Sequence, residues 1–331
     1  MKKVLFVTIA ALVVAFATTG LAFASGGPHG GFTPTTDACA GCHRAHTAIG
    51  PRLLVQDNTL TLCVSCHGST GTGANTNVED GFYLSSRDDP PGGADGNVGA
   101  GNTPDNAPLL GGGFLNYRGA AVTSSHDSSG VETAAWGNGV DRGLTSALAG
   151  GLSCALCHDP HGSANYRIIR TMVNLVPVTV DLVDEGLAKD YDTEQWGAGM
   201  SGFCGACHGA YHETGAGVGH DVANQAYGGG FTHRIDMPWN GDGSTDPYIG
   251  VGAVNPETVG FGGLTLPLAE SGGIDAVVCT TCHLPHGTSA AMTGFADGSF
   301  DPSGPQGPIP SGDSALLRLE NRAVCEVCHQ K

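Results

Sequence analysis

A chain of 331 residues with a formal net charge of −17, 54 glycines, 6% aromatic and 14% charged side chains is badly equipped to build an ordinary protein core. Glycine loses more backbone entropy on folding than any other residue, and there are few large side chains here to offset that loss. The acidic balance, with no basic stripe to neutralise phosphates, excludes nucleic-acid binding and suits a soluble protein that meets cationic partners or oxide surfaces.

The first element is an export signal over residues 1–24. Lys2 and Lys3 form its positive start, Val4 to Phe16 its apolar stretch and Ala22-Phe23-Ala24 its small-residue cleavage pattern, so processing before Ser25 is expected. No later stretch is long and apolar enough to span a bilayer, and the first cysteine is Cys39, too far on for a lipid anchor at the cleavage point. Residues 25–331 are then expected to form a single exported domain, secreted or held at the cell surface.

All twelve cysteines fall into Cys-x-x-Cys-His motifs. These are Cys39/Cys42/His43, Cys63/Cys66/His67, Cys154/Cys157/His158, Cys204/Cys207/His208, Cys279/Cys282/His283 and Cys325/Cys328/His329. Two thiols one turn apart reach the two vinyl groups on one porphyrin edge, and the adjacent imidazole takes the proximal iron position. A single copy could be a thioredoxin-like pair, half a zinc site or a local disulfide. Six copies that use every cysteine predict six covalently bound haems c.

Of 14 histidines, six are proximal and eight remain: His29, His46, His126, His161, His212, His220, His233 and His286. The motifs alternate. The first, third and fifth continue to a second histidine three residues on (His46, His161, His286), and the second, fourth and sixth do not. Residues three apart share one helical face, so that second imidazole cannot reach round its own haem and is expected to ligate a neighbouring one. His126, His220 and His233 complete a set of six distal ligands, leaving His29 and His212 spare. Met172, Met200, Met237 and Met292 are read as packing residues.

The expected fold is mostly irregular loop with short helices at the motifs, built on a stack of haems as core and divided into three two-haem units: Cys39–His67, Cys154–His208 and Cys279–His329. Porphyrins would bury the apolar area that side chains do not supply, at about 25 cal/mol per Å². The repeat is one of chemistry rather than of a packed supersecondary unit. The clearest helix is predicted over Ser314–His329, capped by Asp313 or Ser314. Asn240–Asp246 reads as a turn, with a weaker resemblance to a calcium loop lacking its bidentate glutamate.

This order of motifs resembles the OmcS-type hexahaem cytochromes, which polymerise into extracellular conductive filaments. The likeness rests on Cys-Ala-Gly-Cys-His-Arg-Ala-His at 39–46, the bare second motif, the isolated His126, Cys-Ala-Leu-Cys-His-Asp-Pro-His-Gly at 154–162, Gly199-Met200-Ser201 before the fourth motif, and a sixth motif close to Lys331. It implies bis-histidine haems throughout, and a homopolymer with head-to-tail contacts in which His46 ligates a haem of the adjacent subunit. Redox proteins or extracellular acceptors would be the other partners. A monomeric shuttle is the alternative. A multihaem reductase would need an open or unusually ligated iron, and no catalytic constellation is apparent, so a non-enzymatic electron carrier is expected.

Overall fold

The computed structural model describes residues 29, 37–71, 74, 76–83, 108–130, 151–183, 195–209, 235–239, 256–257, 264–271, 274–292, 314–321 and 323–329. The expected export signal, the 240–246 turn and His212, His220 and His233 lie outside them.

Short helices carry the cysteines: α1 (Asp37–Ala40), α2 (Thr59–His67), α3 (Cys154–Cys157), α4 (Met200–Gly205), α5 (Cys279–Cys282) and α6 (Ala323–His329). The longest, α2, starts where Asn58 accepts a hydrogen bond from Thr61 N at 2.8 Å, which satisfies one of the free amides of the first turn. In the third and fifth motifs the helix stops at the histidine, and in the first it stops at Ala40. In all three the histidine's amide still donates back to the first cysteine's carbonyl (His43 to Cys39, 2.7 Å; His158 to Cys154, 2.9 Å; His283 to Cys279, 3.0 Å), while the backbone of His158 and His283 turns extended.

Each of these three histidines then enters one and the same clamp. The segments are Pro51-Arg52-Leu53-Leu54, Tyr166-Arg167-Ile168-Ile169 and Ser314-Ala315-Leu316-Leu317. The fourth residue of each forms a one-residue antiparallel bridge to the motif's histidine: Leu54 to His43, Ile169 to His158, Leu317 to His283. The residue after each histidine donates to the third residue's carbonyl, and the residue after each clamp (Val55, Arg170, Arg318) donates to the carbonyl of Cys42, Cys157 or Cys282. The two middle residues are left-handed every time, with φ of 58° and 63°, 52° and 51°, and 47° and 64°. Left-handed backbone costs a non-glycine residue roughly 1–2 kcal/mol, so the clamp geometry is held against a local penalty. The chemical repeat expected from sequence is therefore also a repeat of backbone structure around the first, third and fifth motifs.

The third clamp corrects the helix expected over 314–329. Ser314–Leu317 turns, with Ala315 and Leu316 left-handed, and the helix begins only at Ala323. Carrying the Ala315 carbonyl to His283 is incompatible with α geometry there.

Between the motifs lie small antiparallel pairs: β1 (Thr76–Asn77) with β2 (Phe82–Tyr83), β3 (Asn116–Tyr117) with β4 (Ala120–Ala121), and β6 (Met172–Val173) with β7 (Val176–Pro177). β5 (Ser124–Ser125) pairs with β12 (Gly287–Thr288) and so draws His126 to the fifth motif, where its amide donates to His286 O at 3.1 Å. A four-stranded sheet runs in the order β8 (Trp196–Gly197), β10 (Ala269–Ser271), β11 (Ile274–Val277), β9 (Met237–Pro238). Its edge packs Trp196 with Tyr166, Val180, Met200 and Val278 in the larger apolar cluster. α4 lies against α5 and α2 against α3, so successive motifs touch across what would be unit boundaries as well as within units.

Asn165 ties the second clamp to this cluster. Its buried amide donates to Arg170 O (3.2 Å) and Val178 O (3.1 Å) and accepts from Val180 N (3.0 Å). Asn165→Ala leaves those backbone groups unpaired in a buried place. The expected loss is about 2–3 kcal/mol, read as a lower denaturant midpoint for the variant.

Candidate haem-ligating site

The histidines come together in twos, each pair joining distant parts of the chain. Ring centroids are 6.2 Å apart for His43 and His161, 6.2 Å for His29 and His67, 6.4 Å for His158 and His286, and 6.1 Å for His126 and His208. Each pair holds one proximal histidine of a motif and one histidine from elsewhere. Two imidazoles on opposite sides of one metal ion, with metal–nitrogen bonds of about 2.0 Å and ring centres about 1.1 Å behind the ligating nitrogen, would have centroids about 6.2 Å apart.

The second ring nitrogen is committed elsewhere. Nδ1–H donates to a backbone carbonyl in His43 (Arg52, 2.9 Å), His158 (Arg167, 2.9 Å), His283 (Ala315, 2.8 Å), His126 (Pro285, 2.6 Å) and His29 (Pro160, 2.9 Å). His67 Nδ1 lies 2.9 Å from the Thr76 hydroxyl. A carbonyl can only accept, so the five carbonyl-bonded rings carry their proton on Nδ1 and present Nε2 as a lone-pair donor. This is the outer support that metal-bound imidazoles take. Burial adds to it. Desolvation holds His126, His158 and His283 below the usual imidazole range and brings His286 to about 3, which keeps them neutral as ligation requires.

His286 is seated by a glycine run. Its amide donates to Gly111 O at 2.9 Å, Gly113 N donates to Gly287 O at 3.2 Å, and Phe114 stacks on its ring at 4.7 Å between centroids. His161 is exposed, its amide held by Asp159 Oδ1 at 3.0 Å. His46 is also exposed. His29, left spare by the sequence, is placed on His67. Met200 is buried in the apolar cluster, and Met172 is half exposed.

None of the twelve cysteines is in a disulfide. Their thiols run in sequence order through the molecule. Cys42 lies within electrostatic reach of Cys66. Cys63 donates to Cys154, and Cys157 lies near Cys207. Cys204 donates to Cys279, and Cys282 lies near Cys328. Burial first, then these neighbours, pushes Cys157 and Cys282 up to about 12. Each motif thus meets the one before and the one after it.

The donor set fits haem c. It offers paired thiols beside an imidazole whose Nε2 is free, and a second imidazole across a gap of the right width. Among the described residues no three His, Cys, Asp or Glu side chains converge as a metal cage would need. The features that sequence reasoning missed are the pairing of His29 with His67 and the clamps. A visible trace of the clamps is the dipeptide Leu53-Leu54, Ile168-Ile169 or Leu316-Leu317.

Comparison with known proteins bears on the same residues. The family described as "Doubled CXXCH motif" matches residues 33–72, the first two motifs. No curated protein matches the chain. The motifs and their succession define a multihaem c-type cytochrome. Among solved structures, the chain is similar to the outer membrane cytochrome S filament from Geobacter sulfurreducens. The identity is 16% and the TM-score 0.39, over 88% of this chain and 98% of that one.

Gly112 bridges Gly287 in parallel with φ +82°, and a Cβ there would collide with the Gly287 carbonyl. Gly112→Ala is both strained and obstructed, and the first thing displaced is the backbone that seats His286. We expect a loss of about 2 kcal/mol or more, measured as earlier unfolding in denaturant.

Proposed function

We propose that residues 25–331 form one domain that binds six haems c, each between two histidines, and passes electrons along them in motif order. The observation that carries this reading is the set of four histidine pairs. Haem supplies one-electron exchange at iron. The chain's part is to aim each Nε2, to hold the buried His126, His158, His283 and His286 neutral and to keep successive centres adjacent.

The pairs follow two rules. A haem on an odd-numbered motif takes its second ligand from the motif two further on: His161 serves the His43 haem and His286 the His158 haem. A haem on an even-numbered motif takes its second ligand from the segment ahead of the preceding motif: His29 serves the His67 haem and His126 the His208 haem. By the second rule the His329 haem is served from between the fourth and fifth motifs, where His212, His220 and His233 lie. His29 therefore replaces one of the two last-named as a ligand.

By the first rule the His283 haem needs the second histidine of a motif two further on. His283 has no ring partner among the described residues, while His46 is exposed and serves none of the four described pairs. A second copy of this chain offers His46 in that role. The resulting contact is heterologous and head-to-tail, and it grows into an open filament when its rotation does not close. Ile49 and Leu53, near His46 in sequence, are exposed at 70% and 53%, apolar surface that such a contact could cover. Haem held by two histidines, as the four pairs would hold it, would supply one-electron exchange rather than a substrate site, which favours an electron carrier over an enzyme. Export and an extracellular filament location follow from the signal at residues 1–24.

Two experiments test this. Negative-stain microscopy of the haem-loaded chain should show filaments that His46→Ala shortens or abolishes. Discrete particles from both proteins would leave only a monomeric carrier. In the second, His29→Ala should convert one haem in six from low spin to high spin in electron paramagnetic resonance, with haem content unchanged. A fully low-spin variant would remove His29 from the ligand set.

A further inference from the structure

The clamps differ at the residue that follows them. It is Val55 in the first, Arg170 in the second and Arg318 in the third. Both arginines fold back onto their own motif: Arg170 Nη1 donates to Ala155 O at 3.0 Å, and Arg318 Nε donates to Thr280 O at 3.0 Å. Arg318 goes further into the protein. Its Nη2 donates to Leu110 O at 2.8 Å, its guanidinium lies 5.6 Å from the Trp196 ring centre, and its amide donates to Cys282 O at 2.9 Å.

No carboxylate forms an ion pair with Arg318 among the described residues. Glu320 and Glu326 share with it the wall of a cavity of about 590 Å³, which Tyr117 and Arg118 also line. Burial first, with Arg118 adding and Tyr117 and Cys282 opposing, brings the guanidinium down to about 10. It therefore stays cationic at neutral pH. Backbone carbonyls satisfy its donors without cancelling its charge. A buried cation without a carboxylate partner among the described residues is costly, and this one sits directly beside a cofactor anchor.

We propose that Arg318 is a built-in positive charge that raises the reduction potential of the haem carried by Cys279, Cys282 and His283. This rests on the reading that a haem is bound there. Reduction brings one electron to that iron and removes one positive charge from the site. A fixed cation disfavours the oxidised form and leaves the reduced form nearly untouched. In a poorly solvated site such a charge is weakly screened. Val55 gives the first motif's haem no such charge, so clamps of one geometry hold irons of different potential. The haem of the fifth motif is also the one that, in the filament, would face the next subunit.

The test is spectroelectrochemical titration of the full haem-loaded chain, with haem counted by pyridine haemochrome. In Arg318→Gln, one-sixth of the absorbance change should show an oxidised-to-reduced ratio about tenfold higher at fixed ambient potential, a downward shift of about 59 mV for one electron. Arg318→Lys, which keeps the charge, should stay near wild type. Six haems with an unshifted titration in Arg318→Gln overturn the proposal and leave the electron-carrier reading intact. A wild-type chain without haem at Cys279 and Cys282 overturns that reading instead. Should Arg318→Gln fail to load haem, Val55→Arg places the charge at the equivalent position of the first clamp. An upward shift in one-sixth of the signal supports the proposal, and no shift overturns it.

Discussion

The structure turns on what an imidazole needs before it can serve as a ligand through Nε2. Its Nδ1 proton must have an acceptor and the ring must be held in one orientation. The protein meets this with backbone rather than side chains. Arg52, Arg167 and Ala315 present carbonyls to His43, His158 and His283, and Pro285 and Pro160 do the same for His126 and His29. A carbonyl has no rotamer freedom of its own, so pinning the loop pins the ring. That is why left-handed residues recur in all three clamps: the carbonyl can be aimed at Nδ1 only by a chain that reverses tightly, and the reversal is retained despite its cost.

Long reach is the second consequence. No described pair is made within one motif. His161 comes to His43 from the third motif, and His286 comes to His158 from the fifth. His126 crosses to His208 on the β5–β12 pairing, which ends beside the fifth motif. A haem held between each pair would tie together parts of the chain that are distant in sequence. In an ordinary domain that work falls to a hydrophobic core. Here the apolar clusters are small, and the larger one, around Tyr166, Trp196 and Met200, is confined to the middle of the chain.

The sequence made the cofactor attachment legible because covalent chemistry fixes the spacing: thiol, two residues, thiol, imidazole. The dyads at His46, His161 and His286 were legible for the same reason. The pairings were not, since a partner 38 to 128 residues away leaves no local pattern. His29 lies beside no motif and reads as a tail residue. The clamps were hidden differently. Left-handed backbone usually announces itself through glycine or asparagine, yet Arg-Leu, Arg-Ile and Ala-Leu occupy those positions, held by the bridge that follows. The helix expected over 314–329 failed for this reason: Ala315, Leu316 and Leu317 have good helical propensity, and a tertiary hydrogen bond to His283 overrides it.

The spacing of the clamps explains how so glycine-rich a chain keeps a defined structure. From ligand to carbonyl the separation is nine residues for His43 and for His158 but 32 for His283, and the bridge and its flanking hydrogen bonds are the same in all three. Loop-closure entropy grows only as the logarithm of length, so a longer excursion adds on the order of 1 kcal/mol, provided its two ends are fixed. Structure is concentrated where a histidine must be aimed. Between those points the chain can be polar, rich in glycine and variable in length without disturbing the positions through which electrons would pass.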